Sequence, residues 1–146
     1  MATKYLPDAD HVVRHINSQL LIREADVVIG CFPQAFELRL GEKYLSASWL
    51  EFFPGTDDER RRAVVAACAR ARSVKLSHGF AFGNVSEVKD ACADYGLKIR
   101  VIHEPDKSNP NPAYTAIRNF RSDDMELLEL LARDAWSDVV EAKFYL

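Results

Sequence analysis

No apolar run in this chain approaches the roughly 18 residues that a helix needs to cross a bilayer, so a membrane-spanning helix is not expected. The opening residues, Met1-Ala2-Thr3-Lys4-Tyr5-Leu6-Pro7-Asp8, lack the apolar centre of a secretory leader. Cysteine is scarce and odd in number: Cys31, Cys68 and Cys92 are widely spaced and form no CxxC pair. That excludes a disulfide framework and a cysteine-based zinc site, and it points to buried free thiols in a reducing compartment, the cytoplasm. No Gly/Ser-rich linker, internal repeat or low-complexity tract divides the chain. Also missing are GxGxxG, GxxxxGK(S/T), GxSxG and a calcium-loop pattern, which sets aside nucleotide-triphosphate hydrolysis by a phosphate-binding loop. Basic residues are not in excess; the net charge of -3 argues against a general nucleic-acid-binding surface.

What is present is a chain of 146 residues, 48% apolar and 28% charged, the balance of a globular protein. It fits one domain, 1–146, and a domain of that length buries roughly 70% of its unfolded surface. Val27–Phe32 is a short β-branched run, and Ala35–Leu40 alternates apolar with polar residues as a half-buried strand does. Tyr44–Ser46 reads as a further strand, and Trp49 and Phe53 are four apart, as core positions of a helix are. Thr56-Asp57-Asp58-Glu59 is a capping box that opens a helix to about Ser73, with Val64, Cys68 and Ala71 as its buried stripe. A strand over Phe80–Val85 ends near Asn84, and Ser86 can cap a helix that stops at Tyr95-Gly96. Leu97–His103 is a strand, Glu104–Pro112 a loop of turn-formers, and Ser122 caps a last helix whose stripe is Leu128, Leu131, Ala135 and Val139. Interleaved elements with hairpin-like early strands give the expected class: α+β, with a mixed, mostly antiparallel sheet and about three helices.

Asp10-His11-Val12-Val13-Arg14-His15 places two of the four histidines beside an arginine. Histidine titrates near neutrality, so such a cluster is a candidate for acid–base work. His11 and His15 share one face whether the segment is helix or strand. A hydrogen-bonded structural pair is the plainer reading. Metal binding is disfavoured because Arg14 brings positive charge and no HExxH glutamate is present, so neither metal nor cofactor is expected. Arg14, set among apolar residues, needs a carboxylate or a ligand anion; Asp10, Glu51 and Glu104 are the internal candidates. Glu51, in an apolar context, and His103, at a strand end, complete the catalytic set of His11, His15, Glu51 and His103. Arg14, Trp49, Asn84 and Tyr114 form the ligand-binding set, although core packing is the commoner role for an aromatic such as Trp49. Arg60, Arg61, Arg62, Arg70, Arg72 and Lys75 spread around their helix as a solvated face.

The patterns His11-Val-Val-Arg14-His15, Tyr44-Leu-Ser-Ala-Ser-Trp49-Leu-Glu51, Phe82-Gly-Asn84-Val and the Asn-Pro loop before Tyr114 resemble a family of small uncharacterised bacterial proteins. The resemblance runs from His11 to Tyr114 and implies a bacterial or phage origin and a soluble cytoplasmic domain, with no activity attached. The family carries histidine where this chain has Tyr114, which weakens any acid–base role for that loop. The leading functional expectation is a non-enzymatic accessory or protein-interaction module, binding a protein partner or a second copy, with Phe144-Tyr145-Leu146 as an apolar docking end. The alternative is a small enzyme or binding protein for a nucleotide or other phosphorylated ligand, which requires Arg14, a histidine and a carboxylate to converge.

Overall fold

Segments in which β-branched and aromatic residues alternate with small or polar ones supply the strands. The structure is a computed structural model that describes residues 2–146. In chain order its elements are β1 (His11–Ile16), β2 (Leu21–Glu24), β3 (Val27–Cys31), β4 (Leu45–Trp49), α1 (Asp57–Ala71), β5 (Gly79–Asn84), α2 (Val85–Asp94), β6 (Arg100–His103), β7 (Tyr114–Arg118), α3 (Met125–Leu130) and β8 (Asp138–Glu141). Six strands make one sheet in the order β6-β7-β4-β1-β5-β8, and β2 with β3 forms a separate ribbon. Every pairing is antiparallel, so the chain is a small α+β domain.

Strand alternation sends side chains to two different cores. Val13, Phe80 and Phe82 meet Val64, Val65 and Cys68 of α1 on one face. Val12, Ile16 and Ala81 lie on the other, in one cluster with Val85 and Val88 of α2 and Leu127 and Leu128 of α3. There the fully buried Trp136 stacks on Phe36, centroids 4.8 Å apart, and its indole N–H donates to the Val12 carbonyl at 3.1 Å. Gly83 has to be glycine here: a β-carbon would stand 2.6 Å from the Trp136 ring and 2.7 Å from the Ala135 carbonyl.

The α1 capping box forms as expected. Thr56 Oγ1 accepts the Glu59 N–H at 3.2 Å, and Glu59 Oε1 accepts the Thr56 N–H at 2.9 Å. Gly96, at φ 78°, ends the α2 region in the left-handed conformation. Other expectations give way to tertiary contacts. Asn84, not Ser86, caps α2, because β5 ends on it and its Oδ1 accepts the Glu87 N–H at 3.0 Å. Asp124, not Ser122, caps α3; the Ser122 hydroxyl instead accepts the Leu38 N–H at 2.9 Å. Ala35–Leu40 is no strand: Pro33 opens a 3-10 turn, Pro33–Phe36, which buries Phe36 against Trp136. Trp49 ends β4 and is not helical, Val139 belongs to β8, and Ala71 is exposed at the end of α1.

One irregularity positions the site. β1 pairs with β5 along its whole length, from His11 to Ile16, but with β4 only at Val12 and Val13. From Arg14 onward β1 and β4 diverge, and the sheet forks.

Candidate functional site

Arg14 and His15 share one cleft with Glu37 and Glu42, whereas Glu51, His11 and His103, the other members expected of the Arg/His/Glu constellation, lie outside it. All three carboxylates expected to pair with Arg14 have other partners. Glu51 accepts the His11 backbone N–H at 2.8 Å and the His11 Nδ1–H at 2.6 Å. Asp10 accepts the Trp49 indole N–H at 2.8 Å, and Glu104 takes Arg118 through two contacts of 2.6 and 2.7 Å. His11 and His15 share a strand face, but four residues of strand hold them about 13 Å apart. His103 donates its Nε2–H to the Pro112 carbonyl at 2.8 Å and packs edge-on against Trp49. Trp49 is 8% exposed and belongs to the core. Asn84 uses its amide on Asp8 and Asp10 carbonyls as well as capping α2, so its polar atoms are spent on structure.

Arg14 lies at the fork instead. Where β4 stops pairing, its guanidinium bridges the gap: Nη1 donates to the Ser46 carbonyl and Nη2 to the Ala35 carbonyl, both at 2.6 Å. A guanidinium carries five N–H donors, and Nε, enclosed by protein, has no partner. No carboxylate comes within 4.0 Å of it among the described residues. Burial first, aided by Arg72 and opposed by the nearby Glu42, pushes its pKa down to about 10, so it stays charged at neutral pH.

A cavity of about 310 Å³ opens onto this group, its polar wall formed also by His15, Glu37, Arg39, Glu42, Ser46 and Arg72. Glu42 is turned to its own loop, where it accepts the Arg39 N–H at 2.6 Å. A second cavity of about 140 Å³ adjoins it at His15, Ser46 and Arg72 and reaches Ser48, Asn111 and Tyr114. Tyr114 therefore does stand at a cleft, its hydroxyl 3.0 Å from that of Tyr44, and burial raises its pKa. The loop Asn109–Ala113 is fixed by its own side chains: Asn109 Oδ1 accepts the Asn111 N–H at 2.9 Å and Asn111 Oδ1 the Ala113 N–H at 3.0 Å. Asn111 then donates from Nδ2 to the Ser48 hydroxyl at 2.9 Å.

His15 organises the junction of the two cavities. His78 Nδ1 faces the Lys75 backbone N–H at 3.3 Å and is therefore an acceptor. His15 Nε2, 2.8 Å from that same atom, must carry the hydrogen. Its Nδ1 is then bare and faces Arg72 Nη1 at 3.4 Å. Neutral His15 thus steadies Arg72 over the cleft. Burial first, and then Arg72, His78, Arg14 and Arg39, push its pKa down to about 3. Sequence reasoning assigned Arg72 to a solvated helix face and did not single out Arg39. Nothing local to either residue signals the fork, which lies where β1 and β4 stop pairing after Val13.

No protein-family model, curated protein or solved structure matches the chain.

Proposed function

We propose that this protein binds a small phosphate-bearing molecule in the cleft at the fork between β1 and β4. The observation that carries the reading is Arg14: an enclosed guanidinium whose Nε has no partner and which has no carboxylate within 4.0 Å among the described residues, grouped with Arg39 and Arg72, and with Glu37 and Glu42, around one cavity. Charge left uncompensated in a protein of net charge -3 is what an anionic ligand would neutralise. The cavity falls at the lower end of the roughly 300–1,000 Å³ typical of small-ligand sites. His15 is neutral at pH 7 and acts in this reading as a positioning residue.

The test is titration calorimetry with inorganic phosphate in a low-salt chloride buffer. Binding is expected, weakening with added sodium chloride and abolished in Arg14→Met and Arg72→Ala. Absence of binding at millimolar phosphate, or binding that both variants retain, overturns the reading.

A second reading, the accessory or protein-interaction module, is favoured by apolar exposure on the β2–β3 ribbon. Val27 is 60%, Ile29 55% and Phe32 43% exposed, and Phe144 and Leu146 are also open to solvent. The partner proposed is a second copy of this chain. Sedimentation equilibrium decides it: a dimer that Ile29→Lys dissociates supports the reading, and a monomer at high concentration refutes it. The three unpaired, buried cysteines support a reducing, cytoplasmic setting, and a bacterial origin is proposed with it from the resemblance to small bacterial proteins.

A further inference from the structure

The two cavities that meet at the fork differ in kind, and the difference names the ligand. We propose that the ligand is a phosphate monoester of a small hydroxylated compound, pentose-sized and without a stacked base; this rests on the phosphate-binding reading above. The larger cavity holds the arginines. The smaller one has no carboxylate in its wall, and its one cation, Arg72, stands at the junction.

The smaller wall offers uncharged hydrogen-bonding groups that the fold leaves open. The Ser46 hydroxyl makes no hydrogen bond among the described residues, and its carbonyl accepts from Arg14. Asn109 spends its Oδ1 on the Asn111 N–H and leaves its Nδ2 hydrogens free. Tyr114 stands in this wall with its hydroxyl 3.0 Å from that of Tyr44, and when Tyr44 donates to it the Tyr114 O–H is left to donate into the cavity. Uncharged donors and acceptors side by side match the two-way hydrogen bonding of hydroxyl groups.

Two observations argue against a nucleobase. The cavity of about 140 Å³ is small for a purine beside a sugar, and neither tryptophan nor phenylalanine is in its wall. Trp49 is in the core beneath the opposite sheet face, and the Tyr44 ring is capped by the Arg118 guanidinium at 4.7 Å and met edge-on by Tyr114. Arg72, steadied by His15 Nδ1 where the cavities join, stands where the ester oxygen between the phosphate and the neutral part would lie.

The experiment is calorimetry of the intact protein with inorganic phosphate, ribose 5-phosphate and adenosine monophosphate in turn. Ribose 5-phosphate is expected to bind about tenfold tighter than inorganic phosphate, the gain of one or two well-made hydrogen bonds. Adenosine monophosphate should bind no tighter than ribose 5-phosphate. Asn109→Ala, at a residue that lines only the smaller cavity, should lower the tenfold preference and leave inorganic phosphate affinity unchanged. Equal affinities for phosphate and ribose 5-phosphate overturn this inference and leave the phosphate site standing. Tighter binding of the nucleotide overturns it too, in favour of a base pocket. Failure of all three compounds to bind removes the site itself.

Discussion

Arg14→Met separates a ligand-binding arginine from a structural clamp. Two opposing contributions set its effect on stability. Losing the guanidinium removes two charge-assisted bonds to the Ser46 and Ala35 carbonyls, each worth about 1.5–3 kcal/mol, or about 3–6 kcal/mol together. Against this, methionine relieves the burial of an unbalanced charge. A fall from 12.5 to about 10 corresponds, at about 1.36 kcal/mol per pKa unit, to roughly 3 kcal/mol. The net expected loss is therefore small, within about 3 kcal/mol, and methionine regains part of it by packing in the same volume. Phosphate binding should behave quite differently. A ligand at a hundredfold excess over its dissociation constant adds about 2.7 kcal/mol to folding stability. Urea unfolding, followed by tryptophan fluorescence with and without phosphate, reads both quantities; guanidinium chloride is avoided because its salt competes for the cleft. Wild-type protein should gain stability with phosphate and Arg14→Met should gain none. A variant that loses more than about 4 kcal/mol yet keeps the full phosphate response would show that Arg14 only clamps the fork, and the reasoning would be refuted.

Three further outcomes are expected. Because the folded-state pKa of His15 lies near 3, below its unfolded value of 6.5, the unfolded chain takes up a proton that the native state refuses as pH falls through that window. Stability should therefore drop on acidification from pH 7 to 5, by at most about 2 kcal/mol before solvent screening reduces it, and His15→Gln should flatten that slope in pH-dependent urea midpoints; an unchanged slope sinks the assignment. Nitrogen-15 spectra at pH 7 should show His15 with hydrogen on Nε2 and none on Nδ1, and the reverse tautomer would contradict the link to Arg72. Gly83→Ala should cost about 3 kcal/mol or more in thermal or urea unfolding, because the new methyl group meets the Ala135 carbonyl and threatens the Trp136–Val12 bond; a loss below about 0.5 kcal/mol would mean that the sheet yields there.

The features legible in the sequence were those fixed by neighbours in the chain. The Thr56–Glu59 box and the Gly96 terminus depend on residues within four positions of one another, and both formed where expected. Distant partners decided the rest. Ser122 is chemically as good a cap as Asp124, but the Leu38 N–H, 84 residues away, claims it. Ala35–Leu40 has a strand's alternation, yet stacking on Trp136, 100 residues further on, outweighs that preference. β7 was not foreseen at all; it follows a proline-rich loop and is defined by its ladders to β4 and β6. Arg14 was recognisable as an arginine in need of a partner, but the lack of a carboxylate within 4.0 Å of it among the described residues is a property of the assembled fork. Arg72 carries no local mark, since its role follows from His15 and His78, brought together across 63 residues.

The fork itself is the strongest argument that the arrangement serves a ligand. Had β4 continued alongside β1, backbone groups of Arg14 and His15 would have faced those of Ala47 and Ser46 in an ordinary ladder, with no charge buried. Instead the ladder stops after Val13, and a guanidinium substitutes for the missing strand contacts at the cost of desolvating a charge. Elsewhere in the molecule more exposed arginines have carboxylates at hand: Arg61 takes Asp57 and Asp138, and Arg118 takes Glu104. A clamp needing only stability would be served by the same solution, with an acidic residue in ion-pair reach of the guanidinium. The acid that Arg14 lacks, in a chain with more acidic than basic residues, is the one that a phosphate would supply.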